Sequence, residues 1–185
     1  MAMKLMSKRG HTAIHEAGHV VAFCHFSNGI YAAHLAGADG AIVDRDGCTV
    51  HCLGLVEPRT SFDEATLRKD RDAAVYDAGI RNMVCSLAGP YAEARHRKIS
   101  ADAVALSYGT DDFNGADEIA THIEPDPKRC EHLHQRVERI VRKFLREPEV
   151  WCQIQAVADV LFRDGRIGGD HILLPRIDRR RDLDP

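Results

Sequence analysis

Apolar and small residues near the N-terminus recur with the period of a helix. Between about Arg9 and Phe26 they fall at the i, i+3, i+4, i+7 spacing of one face, a set made up of Ile14, Ala17, Gly18, Val21, Ala22 and His25. This repeat is typical of an amphipathic helix packed on a core. The pair Asn28-Gly29 follows and predicts the end of the helix, because both residues tolerate the left-handed conformation.

The next segment changes to short apolar runs separated by glycine and aspartate. Ile30–Leu35, Ala41–Val43 and Thr49–Val56 read as strands, and the pairs Asp39-Gly40 and Asp46-Gly47 between them are typical of hairpin turns. The pattern predicts one small antiparallel sheet in the N-terminal half of the chain.

A helical pattern returns after the sheet. Ser61–Glu64 has the Ser-x-x-Glu form of a capping box and opens a helical region that extends to about Lys98. Gly89-Pro90 lies inside it and predicts a break or kink, since proline removes a backbone donor. Residues 99–108 read as a connecting loop.

Three further helices are predicted in the C-terminal half. They span Thr110–Ile123, Pro127–Arg146 and Pro148–Arg163, and Gly165 ends the last one. We therefore predict a single α+β domain over residues 1–185 that is mostly helical. Its core covers about residues 9–124, the C-terminal helices about 127–164, and residues 176–185 form a solvated tail.

Composition narrows the class of protein. The 185 residues carry 25 Lys+Arg and 28 Asp+Glu, a net charge of −3, which argues against a nucleic-acid partner. No apolar stretch approaches the roughly 20 residues that a spanning helix needs, and Met1–Gly10 lacks the apolar run of a secretory signal. The six cysteines are too sparse for a disulfide scaffold, so we expect a cytoplasmic protein. The 11 histidines are the first hint of metal chemistry.

The segment His15-Glu16-Ala17-Gly18-His19 places an H-E-x-x-H motif on the first predicted helix. Four residues rotate about 400° around a helix axis, so both imidazoles emerge on one face, one turn apart. Two such histidines can bind one tetrahedral zinc ion. Glu16 lies at the edge of the same face, where a carboxylate can act as general base on a metal-bound water.

Zinc in a catalytic site takes a third protein ligand and leaves one position to water. Periodicity alone does not select that ligand. The open candidates are acidic residues on helices that can pack against the first one, namely Glu93, Asp111, Asp112, Asp117 and Glu118.

Three segments, in this order, resemble the peptidase domain of FtsH-type, ATP-dependent membrane proteases. Thr12–Ala22 is similar to the zinc-site helix of that family, and Ser86–Glu93 to its small-residue helix. Gly109–Ala120 resembles the segment whose aspartate completes the metal site, with Asp112 at the matching position. The resemblance covers roughly Thr12 to Ile123, and Val160–Asp170 is similar to the ending of the family domain.

The resemblance implies a zincin-like peptidase fold with a Zn²⁺ cofactor. His15, His19 and Asp112 would be the zinc ligands and Glu16 the general base. Glu93 would orient a ligating imidazole, although an ordinary ion pair is an equal alternative. The family also implies that an edge strand within Thr49–Val56 receives the backbone of a peptide or unfolded protein.

The sequence departs from the family in several respects. No nucleotide-binding G-x-x-x-x-G-K-[ST] motif occurs in these 185 residues, so we expect neither the unfoldase module nor the membrane anchor of the family, and Pro90 replaces an arginine. We therefore expect a soluble, stand-alone zinc metallopeptidase that acts on unfolded or flexible chains. An ATPase partner in trans and the oligomeric state stay open. The alternatives are a catalytically silent, metal-bound adaptor and a zinc hydrolase of non-peptide amides.

Overall fold

A computed structural model describes residues 7–38, 40–59, 73–171 and 173–174, with backbone alone at 108 and 109. The predicted capping box at Ser61–Glu64, Asp39 of the first hairpin turn and the tail 176–185 lie outside the described residues. The helices are α1 Lys8–Phe26, α2 Ala73–Arg97, α3 Ala101–Val104, α4 Thr110–Ile123, α5 Pro127–Arg146 and α6 Pro148–Asp164. The strands are β1 Ile30–Leu35, β2 Ala41–Val43, β3 Thr49–His51, β4 Gly54–Pro58 and β5 Arg166–Gly168. The fold is mostly helical α+β, as the sequence predicts.

Helix α1 is the centre of the core, packed against α2, α6 and the sheet. Ser7 caps its N-terminus by accepting a hydrogen bond from the Gly10 amide at 3.2 Å. Gly18 sets the approach of α1 to α2, since a Cβ atom at Gly18 would lie only 2.6 Å from the carbonyl oxygen of Ala88. Because no side chain intervenes, the two helix backbones pack closely at this point.

The predicted break near Gly89 is wrong. Helix α2 continues through Gly89 and Pro90, and both residues are buried. A proline in a helix interior costs one backbone hydrogen bond, about 3 kcal/mol or more with its steric clash. The burial of most side chains between Gly79 and Ala94 outweighs that cost, because most helical stability in proteins comes from tertiary packing.

The main sheet has the strand order β4-β1-β5 and is antiparallel throughout. The single predicted strand Thr49–Val56 is instead divided. Its first part pairs with β2 in a separate two-stranded ribbon, and Gly54–Pro58 pairs with β1. Strand β5 was not predicted; Gly165 ends α6 at a φ of 75° and turns the chain back onto β1. Within the described residues, β4 is therefore an edge strand.

The predicted loop 99–108 is also wrong. Ser100 caps a short helix, Ala101–Val104, which leads through one wide helical turn, Ala105–Gly109, into α4 at Thr110. The predicted helices Thr110–Ile123, Pro127–Arg146 and Pro148–Arg163 are confirmed to within one residue. Among the described helices, none combines the length and apolar character that a bilayer span requires.

Candidate metal centre

Helix α1 supplies three side chains to one buried site. His15, Glu16 and His19 each expose only 7% of their surface, although they are polar. The imidazole rings of the two histidines lie edge to face with their centroids 4.9 Å apart. This is the juxtaposition that the i, i+4 spacing predicts.

Asp112 reaches the same point from the first turn of α4. Its Oδ2 atom is 3.0 Å from Nε2 of His15, and its Oδ1 atom is 3.3 Å from Nε2 of His19. The position in a first helical turn suits a carboxylate, since the helix dipole favours its anionic form there. His15, His19 and Asp112 form one group of ligand-type atoms that all lie within 4.8 Å of one another.

Both imidazoles are oriented through their Nδ1 atoms. Nδ1–H of His15 donates to Oε2 of Glu93 at 3.1 Å, and Nδ1–H of His19 donates to the backbone carbonyl of Cys85 at 2.8 Å. Each acceptor fixes the proton on Nδ1, which leaves Nε2 as the ligand atom in the neutral ring. Helix α2 therefore sets the direction in which α1 presents its histidines.

Glu93 is a fully buried carboxylate that is paired with groups on both α1 and α2. Besides His15, it accepts a hydrogen bond of 2.6 Å from Nη1 of Arg97, one turn further along α2. A buried charge needs such pairing, because desolvation without it costs several kcal/mol. The arrangement is that of a carboxylate which orients an imidazole and is itself held by an arginine.

The pKa values of the cluster reflect this pairing in the metal-free protein. Burial opposes the charged form of His15, but hydrogen bonds with Asp112 and Glu93 outweigh it and raise the pKa of His15 to about 10. Burial likewise opposes charge on His19, and the negative charge of Asp112 outweighs it to raise the pKa of His19. Burial disfavours the Asp112 anion as well, yet the neighbouring imidazoles hold the pKa of that carboxyl well below its usual range.

The group fits a divalent metal ion of the zinc type. Two imidazole nitrogens and a carboxylate oxygen are a donor set that zinc prefers. With bonds of about 2.0–2.2 Å, the edges of a tetrahedron are about 3.3–3.6 Å long. The 3.0 Å separation between His15 and Oδ2 of Asp112 is close to that edge length, and the ligand-type atoms of the whole group lie within 4.8 Å of one another. A metal bound there would replace the protons that bridge these groups.

Glu16 is buried beside the cluster without a bonding partner. Its carboxylate makes no hydrogen bond or ion pair with any residue in the described part of the chain, and burial raises its pKa. It faces a cavity of about 540 Å³ that also contains the histidines and Asp112. The cavity wall is completed by Thr12, Phe23, Ser86 and Asp111 and by β4 with the segment before it, residues 51–56 and 58.

The structure separates the five acidic candidates for a third ligand. Asp112 joins the histidines, and Glu93 contacts the far nitrogen of His15. Asp111 lines the cavity outside the ligand group, and Asp117 pairs with His134 at 3.4 Å. Glu118 is exposed on α4.

Two contributors were missed from the sequence. The carbonyl of Cys85 has no side-chain signature, so no motif could have revealed it. The i, i+4 spacing of Glu93 and Arg97 was a usable signal for their ion pair.

Comparison of the chain with known proteins identifies no similar protein. No protein-family model matches the chain, and neither a curated protein nor a solved structure matches it.

Proposed function

We propose that this chain is a zinc-dependent peptidase, similar in its site to the FtsH-type peptidase domain. The observation that supports it most strongly is the convergence of His15, His19 and Asp112 beside an unpaired, buried Glu16 carboxylate in an open cavity. Glu16 faces the cavity beside the ligand group and has no hydrogen-bond or ion-pair partner in the described residues, a position that favours a catalytic role.

Zinc is the proposed ion because the donors are two imidazoles and one carboxylate. When bound, zinc polarises a substrate carbonyl and lowers the pKa of a bound water to about 7. Glu16 hydrogen-bonds the attacking water, accepts its proton and later delivers that proton to the departing amine. Glu93 and the Cys85 carbonyl hold the imidazoles in place meanwhile.

The proposed substrates are peptides and unfolded or flexible protein segments. Strand β4 lies at the sheet edge and lines the cavity from Gly54 to Val56 and at Pro58. An extended substrate chain placed beside it would gain backbone hydrogen bonds by strand addition. A folded domain offers no such free strand, so folded substrates would need a separate ATPase to unfold them. The six unpaired cysteines support a reducing compartment such as the cytoplasm.

The decisive experiment is cleavage of unfolded casein by the zinc-loaded protein. Wild type should cleave it, and Glu16→Gln should bind zinc equally well but lose cleavage by about 10²-fold or more. A fully active Glu16→Gln variant would refute the role of the base. If neither protein cleaves casein or a diverse peptide library, the metal-bound adaptor becomes the better interpretation.

The ligand assignment has its own matched control. Asp112→Ala should lower zinc content, whereas Asp111→Ala should not. Both aspartates lie in the first turn of α4, but only Asp112 contacts the histidines. Equal zinc content in the two variants would remove Asp112 from the ligand set.

A further inference from the structure

The backbone of β4 approaches Glu16 without an intervening side chain. Gly54 is the first residue of β4, and a Cβ atom placed on it would overlap Oε1 of Glu16 and lie 2.5 Å from its Cγ and 2.6 Å from its Cδ. Real Cβ atoms do not approach other heavy atoms so closely. The Glu16 carboxylate therefore occupies the space that any other residue at position 54 would fill.

Contact with β4 and the nearby charges of His15 and His19 determine where this carboxylate lies. In the part of the chain that the structure describes, Glu16 has no hydrogen-bond donor and no ion-pair partner, unlike His15, His19 and Asp112. Neither backbone is free to retreat. Gly54 pairs with Leu35, and the preceding carbonyl of Leu53 accepts a hydrogen bond of 3.0 Å from Ala36.

We propose that Gly54 is a positioning residue for Glu16, a role that rests on the proposed function. Because Gly54 has no side chain, the Glu16 carboxylate can lie against β4 beside the metal ligands. A methyl group at position 54 would push the carboxylate away while His15 and His19 keep their partners on α2 and α4. Displacement of a catalytic group by about 1 Å can lower a rate by about 100-fold.

The fold should tolerate this substitution. The overlap falls on a side chain from its Cγ outward and not on backbone, so rotation of that side chain can relieve it, and the φ of Gly54 is not in the left-handed region. Gly18 differs, because there the overlap falls on the backbone carbonyl of Ala88. Gly54→Ala should therefore change the position of Glu16 far more than it changes stability.

The test is Gly54→Ala in the zinc-loaded full chain, with Gly115→Ala as control because a Cβ at Gly115 meets nothing within 4 Å. Zinc affinity should change by less than about threefold, kcat should fall by about 100-fold, and KM should change little. The same alanine should lower the residual kcat by less than about threefold in a Glu16→Ala background, since neither Cγ nor the carboxylate remains there for the methyl group to displace. An equal cost in both backgrounds would show that Gly54 acts independently of Glu16.

A measurement that does not depend on catalytic turnover tests the positioning role of Gly54 separately from the proposed peptidase function. The ¹³C resonance of the Glu16 carboxyl group, assigned by its absence in Glu16→Gln, should shift in Gly54→Ala and stay in place in Gly115→Ala. An unmoved resonance would overturn the positioning role even if the wild type is an active peptidase. A shifted resonance in a chain that cleaves nothing would support the positioning role and reject the peptidase function.

Discussion

Glu93→Gln is the sharpest test of how the site holds its metal ligands. Glutamine keeps the shape of the side chain but replaces one carboxylate oxygen with an NH₂ group. The buried carboxylate of Glu93 accepts from Nδ1–H of His15 at 3.1 Å and from Arg97 at 2.6 Å. The glutamine amide has a single oxygen, so it can accept from either His15 or Arg97, and its NH₂ group must face the other donor.

The magnitude follows from these two contacts. Loss of one charge-assisted hydrogen bond at a fully buried position should cost about 1.5–3 kcal/mol in the free energy of unfolding. Loss of a group that orients a ligating histidine typically lowers metal affinity by about 10–100-fold. That range corresponds to about 1.4–2.7 kcal/mol in binding free energy.

The assay is zinc affinity by competition with a chelator, together with chemical unfolding of the metal-free protein. Glu131→Gln is the control, because Glu131 is exposed on α5 and does not line the cavity of the site. If Glu93 were only an ordinary ion pair for Arg97, stability would fall while zinc affinity stayed within about threefold of wild type. That result would refute the orienting role.

Three more outcomes follow from the structure. Gly89→Ala should weaken zinc binding by about tenfold or more, measured by chelator competition. A Cβ atom at Gly89 would overlap the His19 ring and lie 2.6 Å from its Cδ2 and Cε1 atoms. Unchanged zinc affinity would contradict this prediction. Gly18→Ala should cost about 1–3 kcal/mol in chemical unfolding, since the methyl group would meet the Ala88 carbonyl; a neutral result would show that α1 can shift on α2. In the metal-free protein, the raised pKa of His15 stabilises the fold fully below about pH 6.5, and this contribution is lost as the pH rises to about 10. Calorimetry should therefore show that the melting temperature of the metal-free protein falls over that pH range, while the increase in melting temperature caused by zinc becomes larger. A smaller increase at higher pH would contradict the exchange of protons for metal.

Local patterns predicted most of the fold. The i, i+3, i+4 repeat placed α1 correctly because its buried face is continuous in sequence, and α5 and α6 were placed by a proline at the start of each helix and by Gly165 after α6. The errors come from contacts between distant segments. Strand β5 has only three residues and pairs with β1 across more than 130 positions, so no window of sequence contains both partners. The division of Thr49–Val56 depends on two different pairing partners in the same way.

Most of the ligand-type residues could also be predicted from the sequence. His15 and His19 share a helical face by spacing alone, and the structure brings Asp112 to them as the resemblance implied. Periodicity left five acidic candidates because the choice depends on how α4 packs against α1. The acceptor on Cys85 is a backbone atom, and every residue type carries one. Sequence reasoning identifies side chains with chemistry and cannot identify the backbone groups that orient them.

Three glycines, Gly18, Gly54 and Gly89, show most clearly why the remaining features of the site could not be predicted from the sequence. The sequence pattern predicted a break or kink near Gly89, because Gly89-Pro90 lies inside α2 and proline removes a backbone donor. Among the described glycines with positive φ are Gly29, Gly47 and Gly165, whereas Gly18, Gly54 and Gly89 have ordinary backbone conformations. What forbids a side chain at these three positions is a neighbour: the Ala88 carbonyl, the Glu16 carboxylate and the His19 ring, respectively. Alanine would suit each backbone, so the requirement for glycine exists only once α1, α2 and β4 have come together. A glycine inside a regular helix or strand, near residues that can bind metal, is therefore better interpreted as space reserved for a site than as a break in the element.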